Sequence, residues 1–257
     1  MEQYLGHLTD LLGMNALEFL ILCIVSFLGS FITISLGIGG GVLLLSTMAQ
    51  ILPPTTLIPI HGVVQLGSNL GRALLMRNNI LYQIVPVFLI GTVLGASVGS
   101  KLVITLPTTI LQLIIGLFVL FSVWVPKFRA SMPNRKTFFL VGFVASLATM
   151  FVGATGVLTA PFSNAACTER HQYVATHAML MTIQHGLKIV AFGLLGFSFG
   201  PYIPLLLGLI TFGYAGTWCG RHLLLRIPEK AFRVGLKIIL TLLASRLLLN
   251  SALNYQN

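Results

Sequence analysis

Two histidine–cation pairs are the residues of this chain best suited to do chemistry. His61 precedes Arg72 by eleven residues, and His177 precedes Lys188 by the same interval, each pair inside a long apolar stretch. Histidine titrates near neutral pH and can bind or relay a proton. A Lys or Arg in an apolar stretch must find a partner, and an anion is the simplest one. Eleven residues make about three helical turns, roughly 16 Å, so each pair falls near one face of a helix. Gln65, Ser68 and Asn69 fall within the first pair, and Gln184 and His185 within the second. Facing lipid, such a polar stripe is penalised; facing a cavity, it is useful. The competing uses are hydrogen bonds that only tie a bundle together, and snorkelling of Arg72 and Lys188 to the head groups.

Glycine marks the elements that must position these stripes. Gly37-Ile38-Gly39-Gly40-Gly41 precedes the first and Gly153-Ala154-Thr155-Gly156 the second. Glycine lets the backbone reverse or another chain come close. The N–H groups bared at a broken helix favour an anion. The candidate substrate-binding set is therefore Gly37, Gly39, Gly40, Gly41, His61, Gln65, Ser68, Asn69 and Arg72 in the first half. In the second half it is Gly153, Gly156, His177, Gln184, His185 and Lys188, with His61 and His177 as candidate proton relays. Gly37–Gly41 lacks the strand–turn–helix context and the trailing Lys-Ser/Thr of a nucleotide loop.

Composition fixes the class. Hydrophobic residues make up 56% of the 257 and charged residues 8%, more apolar surface than a soluble domain of this size can hide. Apolar runs of about 20 residues recur, as bilayer-spanning helices require; a β-barrel would show short alternating segments. The reading is an all-α polytopic membrane protein. Two runs, 42–52 and 157–166, are too short to cross as ordinary helices, and each follows a glycine cluster. Segments 16–52 and 137–166 thus read as broken-helix hairpins, with re-entrant and fully crossing forms both open. No basic n-region of a signal peptide precedes the first span, since the first Lys or Arg is Arg72.

The same unit occurs twice. Gly41-Val-Leu-Leu-Leu-Ser46 matches Gly156-Val-Leu-Thr-Ala-Pro161, and His61, Ser68, Asn69 and Arg72 match His177, Gln184, His185 and Lys188. Gly95-x3-Gly99 with Pro107 matches Gly216-x3-Gly220 with Pro228. The expected layout is a polar tail (1–15), a first repeat (16–124), a basic cytoplasmic linker (125–136), a second repeat (137–249) and a short tail (250–257). Each repeat is a hairpin plus three spans, giving about eight main transmembrane segments. An odd net number of crossings per half inverts the second half. Lys127, Arg129, Arg135, Lys136, Arg77, Arg170, Arg221, Arg226, Lys230 and Arg233 then share the cytoplasmic side, with Lys101 outside. This satisfies the positive-inside rule; parallel repeats would erase the bias.

Other chemistries lack their residues. His171, His177 and His185 are close in sequence, but there is no HExxH and no carboxylate at ligand spacing. Cys23, Cys167 and Cys219 show no ligand spacing and read as packing residues. The expectation is no enzyme, no metal and no cofactor. The five acids lie in the tail, at the start of the first span or near loops, so no acid within their spans can pair with Arg72 or Lys188.

The duplicated glycine break with its apolar run, and the Gly-x3-Gly segments followed by Leu-Pro or Ile-Pro, resemble the TauE/SafE family of membrane permeases across about 16–249. Ile60-His61-Gly62-Val63-Val64-Gln65 with Ser68-Asn69, and the segment from Ala175 through His177 to His185, resemble a His-bearing branch of it. The resemblance implies export or uptake of small anions, commonly sulfite, sulfonates and related organosulfur compounds. Ser46 stands where the first repeat of the family commonly has Pro, and the second glycine motif is incomplete; both leave the substrate open. The expected function is secondary transport of such an anion across the cell membrane by alternating access, with proton coupling as an option. The partners are the anion, the lipid bilayer and a coupling ion; nucleic acid is not among them, and the oligomeric state is open. A membrane scaffold or accessory subunit, or an anion channel, are the alternatives.

Overall fold

The computed structural model describes residues 14–36, 39–125, 130, 132–223 and 229–255, with backbone alone at 35–36, 221–223, 229–233 and 254–255. Residues 1–13, Gly37, Lys127, Arg129, Arg226 and Pro228 lie outside the described residues, as do the side chains of Arg221, Lys230 and Arg233. Among the described residues all regular structure is helical. Ten α-helices follow in order: α1 (Ala16–Leu36), α2 (Gly40–Met48), α3 (Pro54–Leu75), α4 (Val85–Val103), α5 (Thr108–Trp124), α6 (Arg135–Val152), α7 (Gly156–Ala166), α8 (Arg170–Leu194), α9 (Ile203–Leu223) and α10 (Glu229–Tyr255).

Local chemistry sets the boundaries. Pro54 opens α3, where a missing N–H costs nothing. The Asn134 side chain caps α6 by accepting the Thr137 N–H at 2.9 Å. Gly153 ends α6 at φ 75° and Gly39 precedes α2 at φ 111°, a region closed to most side chains. The two glycine clusters are therefore true breaks. They fold α1 against α2 and end α6 before α7, as the hairpins 16–52 and 137–166 require. At 9 and 11 residues, α2 and α7 span only about 14 and 17 Å of a core near 30 Å.

Five helices are long and apolar enough to cross a membrane: α1, α4, α6, α9 and α10, with α5 shorter but apolar. Helices α3 and α8 have the length, at 22 and 25 residues, but the polar stripes lower their hydropathy. They occupy the middle of the bundle, packed on each other and flanked by α4 and α9.

Glycine governs the remaining contacts. A Cβ on Gly91 or Gly95 would lie 2.1 Å from the carbonyl oxygen of Phe139 or Phe143, so α4 runs parallel to α6 at backbone contact. A Cβ on Gly216 would lie 2.0 Å from Phe27 O, and Gly220 lies on Phe31, so α9 runs parallel to α1 in the same way. The fourth helix of each half thus packs on the first helix of the other. Helices α3 and α8 run antiparallel, with Gly62 beside Lys188 and Gly186 beside Leu66. Helices α5 and α10 are antiparallel too, with Ser251 bonded to Gln112 and Trp124 to Thr241. Lys237 lies 3.7 Å over the Trp124 ring, a cation–π contact. Gly95→Ala should force α4 off α6 and cost about 1–3 kcal/mol, read as a lower melting temperature of the detergent-purified protein.

Candidate functional site

The polar stripe on α3 faces the two breaks. His61 is fully buried, and its Nε2 lies 2.9 Å from the carbonyl oxygen of Gly41 on α2, while Nδ1 lies near Gly153. The Gln65 amide lies over Gly41, where a Cβ would stand 3.0 Å from Nε2. Asn69 donates to Gln65 O at 2.8 Å, which aims its own carbonyl oxygen at the Arg72 guanidinium, 2.9 Å away. Arg72 also donates to Ser68 O at 3.2 Å. These partners are neutral groups on its own helix, and across the gap the guanidinium is in electrostatic reach of Tyr173 and His177 on α8.

From α8, His177 stacks on Tyr173 at 5.7 Å and lies 3.5 Å from Ser163 Oγ on α7. His185 meets His61 edge to face at 6.2 Å. Its Nδ1 is buried with no hydrogen-bond partner among the described residues, so the ring keeps bonding capacity to spare.

These groups line a cavity of about 60 Å³, on the scale of a few water molecules. Its walls include Gly39, Gly41, His61, Gln65, Asn69, Arg72, Gly156, His177 and His185, all singled out from sequence. Thr33, Val42, Ala154, Val157 and Met181 complete it. The N-terminal turns of α2 and α7 both reach it, bringing free backbone N–H groups and the positive ends of two helix dipoles. Among the described residues, no Asp or Glu lines it.

Other candidates stand apart. Gly40 is pressed against Gly29, and Ser68 and Gly40 line a smaller space of about 10 Å³ between α1, α2 and α3. Gly153, Gln184 and Lys188 do not line the main cavity. Gln184 donates to Ala145 O at 2.7 Å and to Thr155 Oγ1. Lys188 is 0% exposed and donates to Gly153 O at 2.7 Å. Its ammonium therefore does not reach the surface of the protein, unlike a snorkelling side chain. The burial has a physical cause: Gly153 O lies at the C-terminal end of α6, where the dipole is negative and carbonyls lack helical partners. Thr33 and Thr149 were readable but missed. Each stands four residues before the first glycine of its break, Gly37 or Gly153, a matched pair like the histidines.

A cavity between broken helices, lined by no Asp or Glu among the described residues and set in a bundle with five helices of membrane-spanning length, fits a multi-pass membrane permease. The chain belongs to the sulfite exporter TauE/SafE family, whose model matches residues 22–247, nearly its whole length. Members are transporters rather than enzymes, and membership points to sulfur-containing anions as the cargo class. Comparison with curated proteins and with solved structures gives no match.

Proposed function

We propose that this protein is a secondary transporter moving a small sulfur oxyanion or sulfonate across the cell membrane by alternating access between two inverted halves. The observation that carries this is the cavity itself: two helix N-termini and the Arg72 guanidinium converge on a space lined by no carboxylate among the described residues. Each of those groups favours negative charge. The inverted arrangement is supported by the helix registers, in which α3 opposes α8 and α5 opposes α10 while α4 and α9 exchange partners between halves. Two repeats turned over in the membrane plane around one shared site would pack in this way. Repeats at 16–124 and 137–249 fit that packing.

Proton coupling would run through the histidines that line the cavity, His61, His177 and His185. The test is flux in proteoliposomes with sulfite, thiosulfate, sulfate, taurine and sulfoacetate, beside a thermal-shift series with the same anions. At least one should stabilise the protein and exchange across the membrane; none doing either would sink the reading. With that anion, an imposed pH gradient should drive accumulation, and His177→Gln should abolish accumulation while leaving anion exchange within about threefold. Equal accumulation with and without the gradient would exclude proton coupling.

A further inference from the structure

Sequence symmetry pairs Lys188 with Arg72, and the geometry separates them. Arg72 lines the cavity. Lys188 lies behind it, fully buried, with Nζ bonded to Gly153 O at 2.7 Å and 3.5 Å from Thr149 Oγ1. Its path there depends on a neighbouring helix: a Cβ on Gly62 of α3 would stand 2.8 Å from Lys188 Cε. The absent side chain at Gly62 is the slot through which the lysine passes. Thr149 Oγ1 donates to the same carbonyl at 3.2 Å. Two residues on, Thr155 Oγ1 receives Gln184 from α8. The turn Gly153–Thr155 is thus tied from both sides by side chains that do not touch the cavity, while Ala154 within it forms part of the cavity wall.

We infer that Lys188 is a positioning residue and not an anion ligand: threaded past Gly62, it caps the C-terminal end of α6 through Gly153 O and holds the second break in the shape that forms the cavity wall. A cation is favoured at that end of a helix and bonds its last carbonyls. The cavity then offers one guanidinium to its cargo, from Arg72. This rests on the anion-transport reading for its functional consequence, but the pin itself can be read without any substrate.

The experiment places a reporter in the wall. Ala154→Cys, in a chain with Cys23, Cys167 and Cys219 replaced by Ala, is modified by a small methanethiosulfonate reagent in nanodiscs. Lys188→Met, which keeps the stem and removes the N–H donors, should speed modification about tenfold. Gly62→Ala, which blocks the slot and leaves the lysine in the chain, should do the same. Lys101→Gln, at an exposed position near the end of α4, should leave the rate unchanged. In parallel, half-saturation by sulfite should stay within about threefold of the parent in Lys188→Met while maximal flux falls about tenfold.

Unchanged reactivity of the introduced thiol in both folded variants would overturn the inference. So would a loss of sulfite affinity in Lys188→Met as large as in Arg72→Gln. Loss of monodisperse protein in both variants would overturn it too, since the ammonium would then be part of the fold rather than of the wall's set point. If the parent moves no anion while the thiol rates behave as expected, the transport reading fails and the pin stands.

Discussion

Arg72→Gln is expected to raise the half-saturating concentration of sulfite roughly 10- to 150-fold while the protein remains folded. The size follows from what is removed. A hydrogen bond to a charged group contributes about 1.5–3 kcal/mol, and each 1.4 kcal/mol is tenfold in affinity. Among the described residues Arg72 is the cation that lines the cavity, and the surrounding protein holds it there: Asn69 and Ser68 orient the guanidinium without neutralising it. Because those partners are uncharged and lie on the same helix, losing the arginine leaves no carboxylate stranded, and the fold should tolerate the change. Arg72→Lys should recover only part of the affinity, since an ammonium lacks the planar fork that grips two oxygens at once. The reading is sulfite flux in proteoliposomes at fixed protein-to-lipid ratio. A half-saturation within twofold of the parent would remove Arg72 from the binding site.

What could be read from the sequence was whatever repeats or has a period. The spacing Gly95-x3-Gly99 and its match Gly216-x3-Gly220 mark helix faces that must come to backbone contact, and both pairs do so, each against the first helix of the other half. The glycine clusters were legible as breaks because no other residue readily accepts the φ found at Gly39 and Gly153. The stripe from His61 to Arg72 was legible because three turns of helix keep it on one face.

Symmetry does not carry Lys188 to the cavity wall. The pattern gives it the role of Arg72, but its acceptor is a backbone carbonyl on α6, and carbonyl placement has no signature in residue type. The slot at Gly62 is likewise a property of two helices crossing, visible only once α3 lies on α8. Gln184 escaped for the same reason: its matched residue Ser68 stays on its own side, whereas the longer amide reaches Ala145 O. Sequence singled out Gly39, Gly41, His61, Gln65, Asn69 and Arg72, and all six line the cavity. In the second half it could not separate wall from support, because long flexible side chains choose their partners from whatever backbone the fold brings near.

The break glycines give the sharpest contrast in stability. Gly40→Ala is expected to cost about 3 kcal/mol or more, whereas Gly156→Ala should be neutral or stabilise by up to about 1 kcal/mol. The two look alike in sequence, each opening a short helix after a break. At Gly40, a Cβ would fall 1.6 Å from the carbonyl oxygen of Gly29, an overlap that no rotamer relieves because both parties are backbone. Helix α2 would have to leave α1, and with it Gly41 O would leave His61. At Gly156, a Cβ would meet His177 Nε2 and Met181 Sδ at 3.5 Å, ordinary contact distance, and alanine is the better helix former. Apparent melting temperatures in one detergent should therefore split the pair, with Gly40→Ala far below the parent and Gly156→Ala at or above it. Equal losses would mean that the α1–α2 contact is not what holds the first break.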